Sequence, residues 1–158
     1  AHLVYFARWI TPPTEARRFD ARFFLARVPP GQTGAPDPAG EVTDFHWASP
    51  RWFLEQQAAG KIKLPPPTIW HLGDLARHST VESALAWART RPIVAVRPKL
   101  SPWQDRVMIV LPWDPDYNQV PVDEGEAIPP NHPVVSQPIT RFVLDDALWR
   151  PESGFQRR

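Results

Sequence analysis

The residues of this chain best suited to chemistry by type and spacing are its clustered carboxylates. Asp114-Pro115-Asp116, Asp123-Glu124-Gly125-Glu126 and Asp145-Asp146 each offer closely spaced oxygens of the kind that hold a hard divalent cation. Each cluster also sits beside turn-forming residues, where Asp is favoured for its hydrogen bonds to nearby backbone, so a turn role competes with a metal role at all three. The histidines His2, His46, His71, His78 and His132 are scattered, and only His71 and His78 fall two helical turns apart. Neither His-x-x-x-His nor His-Glu-x-x-His occurs, so surface or capping roles are expected of them. No serine lies in a Gly-x-Ser-x-Gly elbow. No Gly-x-Gly-x-x-Gly or Gly-x-x-x-x-Gly-Lys-Ser/Thr loop is present to cradle a phosphate.

The elements that would position such groups follow from local patterning. Leu3 to Ile10 is rich in aromatic and β-branched residues and stops at Thr11-Pro12-Pro13, which predicts a strand and a proline turn. Phe19 to Val28 predicts a second strand, with the run Phe23-Phe24-Leu25 pointing to burial on both faces. A Gly/Pro loop over residues 29–40 precedes a third predicted strand from Glu41 to Trp47, where Val42, Phe45 and Trp47 are set among polar residues. Ser49 as N-cap, Pro50 in the first turn and Gly60 as stop bound a helix. A second helix is predicted with Thr68 as cap and a stripe of Ile69, Leu72, Leu75 and Ala76. A third starts with Ser79 and Glu82 in capping-box register and ends at Pro92. The remainder reads as β: Ile93–Leu100 and Val107–Leu111 as a hairpin, then a proline-rich excursion, then a last strand over residues 139–146.

Composition bounds the function classes. With 158 residues and 42% hydrophobic content the chain can build a core of its own. It has no cysteine, which removes disulfide scaffolds, zinc ribbons and thiol nucleophiles. Lys and Arg total 18 against 17 Asp and Glu, a balance that exerts no general pull on nucleic acid or an anionic membrane. No apolar run approaches the ~18–20 residues of a membrane span, and no signal-peptide pattern opens the chain, so a cytoplasmic location is expected. Proline is the outlier, 21 of 158 residues, where about 5% is usual. Eight tryptophans accompany it, which argues against disorder and for a folded core with stiff connections.

Several of these stretches, taken in order, resemble a known family. Trp9, Thr11 and Pro12 form a W-x-T-P turn. Arg18, Phe19, Asp20, Arg22, Phe23 and Phe24 form R-F-D-x-R-F-F. Glu41 then leads a segment ending in Trp47, followed by Pro50, Gly60, and Leu64, Pro66, Pro67 and Thr68 as L-x-P-P-T. This order resembles the downstream half of the Nudix hydrolases, in the branch similar to the peroxisomal coenzyme A diphosphatase, over roughly residues 5–77. The segment Val110 to Tyr117 is similar to an extension found in bacterial members.

The resemblance implies an α+β fold, a mixed sheet flanked by helices. Residues 1–92 would form the C-terminal part of an incomplete Nudix αβα sandwich, and residues 93–158 a β-rich, proline-rich extension packed on it. It also implies metal-dependent cleavage of a diphosphate linkage in a nucleotide-like or coenzyme A-like small molecule, with Mg²⁺ or Mn²⁺ as cofactor. The signature helix that holds this metal in the family carries an Arg-Glu dipeptide and a Glu-Glu pair, and neither occurs in this sequence. In the family the signature lies upstream of the W-x-T-P turn, so it is expected on a preceding segment or on a second chain. The alternative is a non-catalytic module of Nudix descent that binds a ligand or a protein. Assembly as a homo-oligomer is compatible with either.

Within the first reading, Glu41 matches the position of the additional acidic residue that supports the metal in the family, and is expected as metal ligand or general base; Asp37 and Asp44 are nearby alternatives. Arg18 and Arg22, four apart and bracketing the start of the R-F-D-x-R-F strand, would share a face on which their guanidinium forks meet phosphate, unless Asp20, on the same face, pairs with one of them. Trp47, with Trp9, Phe24 and Trp52, is a candidate to stack on a nucleobase, although aromatic residues of strands more often serve a core.

Overall fold

The computed structural model describes residues 2–34, 45–103, 105–121 and 125–154. These form two sheets and three α-helices around a shared core, an α+β arrangement. The first sheet is mixed. Strand β1 (Val4–Ile10) pairs antiparallel with β2 (Asp20–Leu25) on one side and parallel with the two-residue β3 (Ala95–Val96) on the other. The second sheet is an antiparallel meander of β4 (Lys99–Trp103), β5 (Arg106–Val110), β6 (Arg141–Asp145) and β7 (Leu148–Glu152).

Local signals explain most of the helices. Helix α1 (Pro50–Ala58) is capped by Ser49, whose hydroxyl accepts from the Trp52 amide at 3.2 Å, and ends where Gly60 takes a φ of 73°. Helix α2 (Pro66–Leu75) starts before Thr68, the predicted cap. Pro65 occupies the cap position, and Pro66 and Pro67 are tolerated in the first turn because their missing N–H groups would have had no partner there. Helix α3 (Val81–Thr90) is capped by Thr80 rather than Ser79, with the Thr80 hydroxyl accepting from the Ser83 amide at 3.1 Å.

Three strand expectations are corrected. Residues 45–47 lie in no strand, and Trp47 is 66% exposed; Glu41 to Asp44 fall outside the described residues. The third strand of the first sheet is β3, from much later in the chain. Strand β2 is shorter than Phe19–Val28 and is not buried on both faces. It alternates, with Phe24 49% exposed and Phe23 turned inward. Ile93–Leu100 is divided between the two sheets, and a strand absent from the sequence reading, β7, follows β6. The β6–β7 hairpin turns through Asp146 and Ala147, both at positive φ (46° and 61°), the backbone of a two-residue type I′ turn.

Both sheets and the helices feed one core. Trp9, Phe6, Ile69, Trp70, Leu111, Trp113 and Phe142 belong to a single buried cluster. Trp70 and Trp113 lie 4.8 Å apart between ring centroids, and the Trp113 indole donates to the Ile139 carbonyl at 2.8 Å. A smaller cluster of Met108, Val110, Tyr117, Val120 and Val143 sits on the other side of the second sheet. There Lys99 is buried, with Nζ donating to the Tyr117 and Val120 carbonyls at 3.3 Å each and lying 4.4 Å from the Tyr117 ring centre. Burial pushes the Tyr117 phenol up to about 12, so it serves as a neutral donor to the Arg97 carbonyl at 2.6 Å.

Candidate functional site

Three stretches far apart in sequence meet at one cleft of about 450 Å³ between the two sheets. Trp9 to Pro12 and Phe19 come from the end of β1 and the approach to β2. Pro65, Pro66 and Pro67 come from the start of α2, and Pro98, Leu100, Ile109 and Trp149 from the second sheet and its lead-in. The turn at the cleft is fixed by Thr11. Its backbone amide donates to the Phe19 carbonyl at 3.0 Å, and its hydroxyl accepts from the Phe19 amide at 3.0 Å. The wall of prolines is fixed by Gln57 of α1, a buried residue. Its side-chain oxygen accepts from the Leu64 amide at 2.7 Å, and its nitrogen donates to the Trp149 carbonyl at 3.2 Å. Gln57 thus ties the segment before α2 to β7.

The polar features of the first sheet lie on its open face. Asp20, on β2, accepts two bonds from the Arg8 guanidinium, Nε at 2.8 Å and Nη2 at 2.7 Å, and Arg22 approaches the same carboxylate at 3.9 Å. The Arg8 hydrogen bonds hold the Asp20 carboxyl below the usual carboxylate range, with the charges of Arg22 and Arg97 adding to the effect. Arg8 and Arg22 therefore share one acid on an exposed surface, within the field of Arg97. Tyr5 and Phe24 pack together on the same sheet, 5.4 Å between ring centroids.

The residues proposed from sequence are dispersed over these features. Arg18 lies before β2 begins rather than on it, and its Nε donates to the Thr11 carbonyl at 3.4 Å, beside the cleft; it does not share a strand face with Arg22. Arg22 stands on the open face with Asp20, whose closer partner is Arg8. Trp47 is exposed, its ring 5.6 Å from that of Phe45. Glu41 lies outside the described residues, as do Asp37 and Asp44. Arg8 and Gln57 were missed: Arg8 meets Asp20 only through strand pairing, in which Arg8 faces Arg22, and Gln57 reads as an ordinary polar helix residue.

Two of the three carboxylate clusters resolve as structure, while Asp123 and Glu124 of the third lie outside the described residues. Asp114 and Asp116 are both committed to Arg141, and Asp145 pairs with Arg106 at 3.2 Å. Among the described residues no three His, Asp or Glu side chains converge to hold a cation. The described residues therefore do not build a site for the Mg²⁺ or Mn²⁺ that the sequence resemblance implies.

Comparison with known proteins finds two similar sequences. The chain is 28% identical over 127 residues to the acyl-coenzyme A diphosphatase NUDT19 of Xenopus laevis, which covers 76% of this chain and 33% of that protein. It is 30% identical over 81 residues to the "Putative nudix hydrolase 7" of Caenorhabditis elegans, 48% of this chain and 25% of that one. The chain is thus similar to proteins named as Nudix hydrolases. It spans a third or less of the length of these two Nudix relatives. No family model matches it. No solved structure matches it either. Among the described residues no helix is long and apolar enough to cross a membrane.

Proposed function

We propose that this chain is the substrate-side part of a Nudix-type hydrolase that cleaves a diphosphate linkage in a nucleotide-like or coenzyme A-like molecule. The observation that carries the proposal is the similarity to an acyl-coenzyme A diphosphatase over three quarters of the chain. The motifs that first suggested the lineage, the W-x-T-P turn and the prolines before α2, also meet at one cleft. The metal-binding glutamates are supplied by a segment outside these 158 residues, on the same polypeptide or on a partner, because the sequence contains no Glu-Glu pair and no Arg-Glu dipeptide. Glu41 adds one carboxylate to that site. Arg22, only loosely paired with Asp20 at 3.9 Å, supports a role in meeting phosphate, and Arg18 and Trp47 are assigned to the substrate with it.

Two outcomes test this reading. Residues 1–158 alone bind Mg²⁺ weakly in a calorimetric titration and form no phosphomonoester products from diphosphate-linked nucleotides, since a single carboxylate does not replace a signature helix. Once the signature-bearing segment is present, Glu41→Gln lowers kcat by roughly 10²-fold or more and leaves the circular dichroism spectrum unchanged, the size expected for losing a general base or a cation ligand. Robust hydrolysis by the isolated chain would sink the proposal, and so would an active Glu41→Gln enzyme.

A further inference from the structure

We propose that a second, chiefly polar cleft, between α2, α3 and residues 133–136, binds a small free monocarboxylic acid through Arg77 and His78. This cleft measures about 450 Å³, the size of a small-molecule site, and shares no lining residue with the cleft between the sheets. Nothing about it depends on the hydrolase reading. Asp74, near the end of α2, is its acid, and both carboxylate oxygens are committed. Oδ1 accepts from the Ser136 hydroxyl and from Gln137 Nε2 at 2.9 Å, and Oδ2 accepts from Arg91 Nη1 at 2.9 Å. The Asp74 and Arg91 side chains are 1% and 4% exposed, so they form a buried, mutually neutralising pair that leaves no acid free for a cation.

The donors are not committed in the same way. Arg77 gives one bond, from Nη1 to the Ser136 carbonyl, out of the five N–H groups of a guanidinium. That bond holds the fork at the cleft, which reduces the ordering cost a ligand must overcome. His78 lines the same cleft with its ring 5.2 Å from that of Trp87, and its ring nitrogens have no hydrogen-bond partner among the described residues. Over Trp87 lies the Arg91 guanidinium, 4.5 Å from the ring centre, and its buried Nε has no partner among the described residues either. In charge, Asp74 cancels Arg91, and Arg77 is left as one positive group with no other Asp or Glu in the described lining. Surplus donors and a single positive charge call for a planar group that only accepts and carries one negative charge. A carboxylate meets these conditions, and its two oxygens match the guanidinium fork. A phosphate dianion brings a second negative charge close to Asp74. Trp87, Val135 and Pro133 offer an apolar side to the body of the acid.

The 158-residue chain is titrated with benzoate, followed by calorimetry and by the NMR signal of the Arg77 Nε–H. A Kd on the order of a millimolar is expected for so small a ligand, with a shift of the Arg77 signal. Benzamide, the same shape without the charge, binds about tenfold more weakly. Arg77→Gln weakens benzoate binding about tenfold, and Arg77→Lys, which keeps the charge and loses the fork, recovers only part of that loss. His78→Phe, which keeps a ring beside Trp87 and removes the N–H, weakens it about threefold and carries the test if the Arg77 variants fail to fold. Arg89→Gln, an exposed charge of α3 outside the cleft, changes it by less than about twofold. A hexapeptide ending in phenylalanine binds more weakly than 3-phenylpropanoate, as a cleft of small-molecule size requires. Equal binding of benzamide, displacement of benzoate by equimolar inorganic phosphate, indifference to the Arg77 and His78 variants, or tighter binding of the peptide would each overturn the assignment.

Discussion

Asp114→Ala is expected to lower the unfolding free energy by about 3–5 kcal/mol, the cost of leaving a buried guanidinium without its acid. Against the roughly 5–15 kcal/mol that holds a domain folded, this is a large share. Arg141 and Asp114 are almost fully excluded from solvent, with side-chain exposures of 3% and 0%. Arg141 Nε donates to Asp114 Oδ2 at 2.7 Å, and its terminal nitrogen reaches both Asp114 and, at 2.8 Å, Asp116. The carboxylate does more than neutralise. Its Oδ1 accepts from the Asp116 amide at 2.9 Å, which shapes the turn, and its Oδ2 accepts from the Thr140 hydroxyl, which in turn accepts from the Gly154 amide at 2.7 Å. Urea titrations of the single variants and of Asp114→Leu combined with Arg141→Met separate the pair from its surroundings. The double variant should recover much of the loss, because two matched apolar residues leave no orphan charge. A single variant costing under about 1 kcal/mol would show that water already reaches the pair.

The same network shows why only part of this fold was legible in the sequence. Where a signal is local, it was readable. Ser49, Pro50 and Gly60 bound α1 because a cap, a preset φ and a left-handed stop act within one or two turns of the helix they define. Where the decisive partner is distant, the sequence is silent. Asp114 reads as a turn aspartate, and nothing nearby announces that Arg141 will be its partner. Local signals were also overridden. The alternation around Phe45 and Trp47 suggested a strand, yet these residues find no ladder, and it is Ala95–Val96 that pairs beside β1. Strand β7 was hidden twice. Pro151 argues against a strand but is tolerated on this edge of the sheet, and the turn before it uses Asp146-Ala147, not the Asn-Gly or Asp-Gly that would signal a hairpin.

The candidate site follows the same division. The W-x-T-P turn and the prolines before α2 are conspicuous as residues, but that they face each other depends on Gln57, a buried glutamine bridging Leu64 and Trp149. Arg22 could be placed on a strand face from spacing alone. Its proximity to Arg8 could not, because antiparallel register brings the two together from different strands. The lineage was readable from motif order, whereas the chemistry of the cleft needed the fold.

The second large effect concerns acid. His71, on α2, is buried, and neither ring nitrogen has a hydrogen-bond partner among the described residues. It lies among aromatic rings, with centroids 4.4 Å from Phe23, 5.1 Å from Phe6 and 5.9 Å from Trp9. Burial pushes its pKa down from 6.5 to about 3, and the Arg91 charge adds to the effect. The imidazole is therefore neutral in the folded state over a range in which an unfolded chain would protonate it. Between pH 6.5 and about 3 the unfolded state binds more protons, so stability falls as pH falls, by about 1.4 kcal/mol per unit. Across the whole interval the loss is on the order of 4–5 kcal/mol, comparable to the stability of a small domain. His71→Leu removes both the titration and the two unsatisfied nitrogens. It is expected to stabilise the protein at neutral pH, since an unpartnered buried polar group costs about 1–3 kcal/mol. It should also flatten the decline in acid, leaving only what the carboxylates contribute, Asp20 among them. Urea midpoints measured from neutral pH to roughly pH 4 for the two proteins decide the matter. Parallel curves would mean that His71 finds a proton partner in the folded state after all, and that the aromatic surroundings are not what sets its charge.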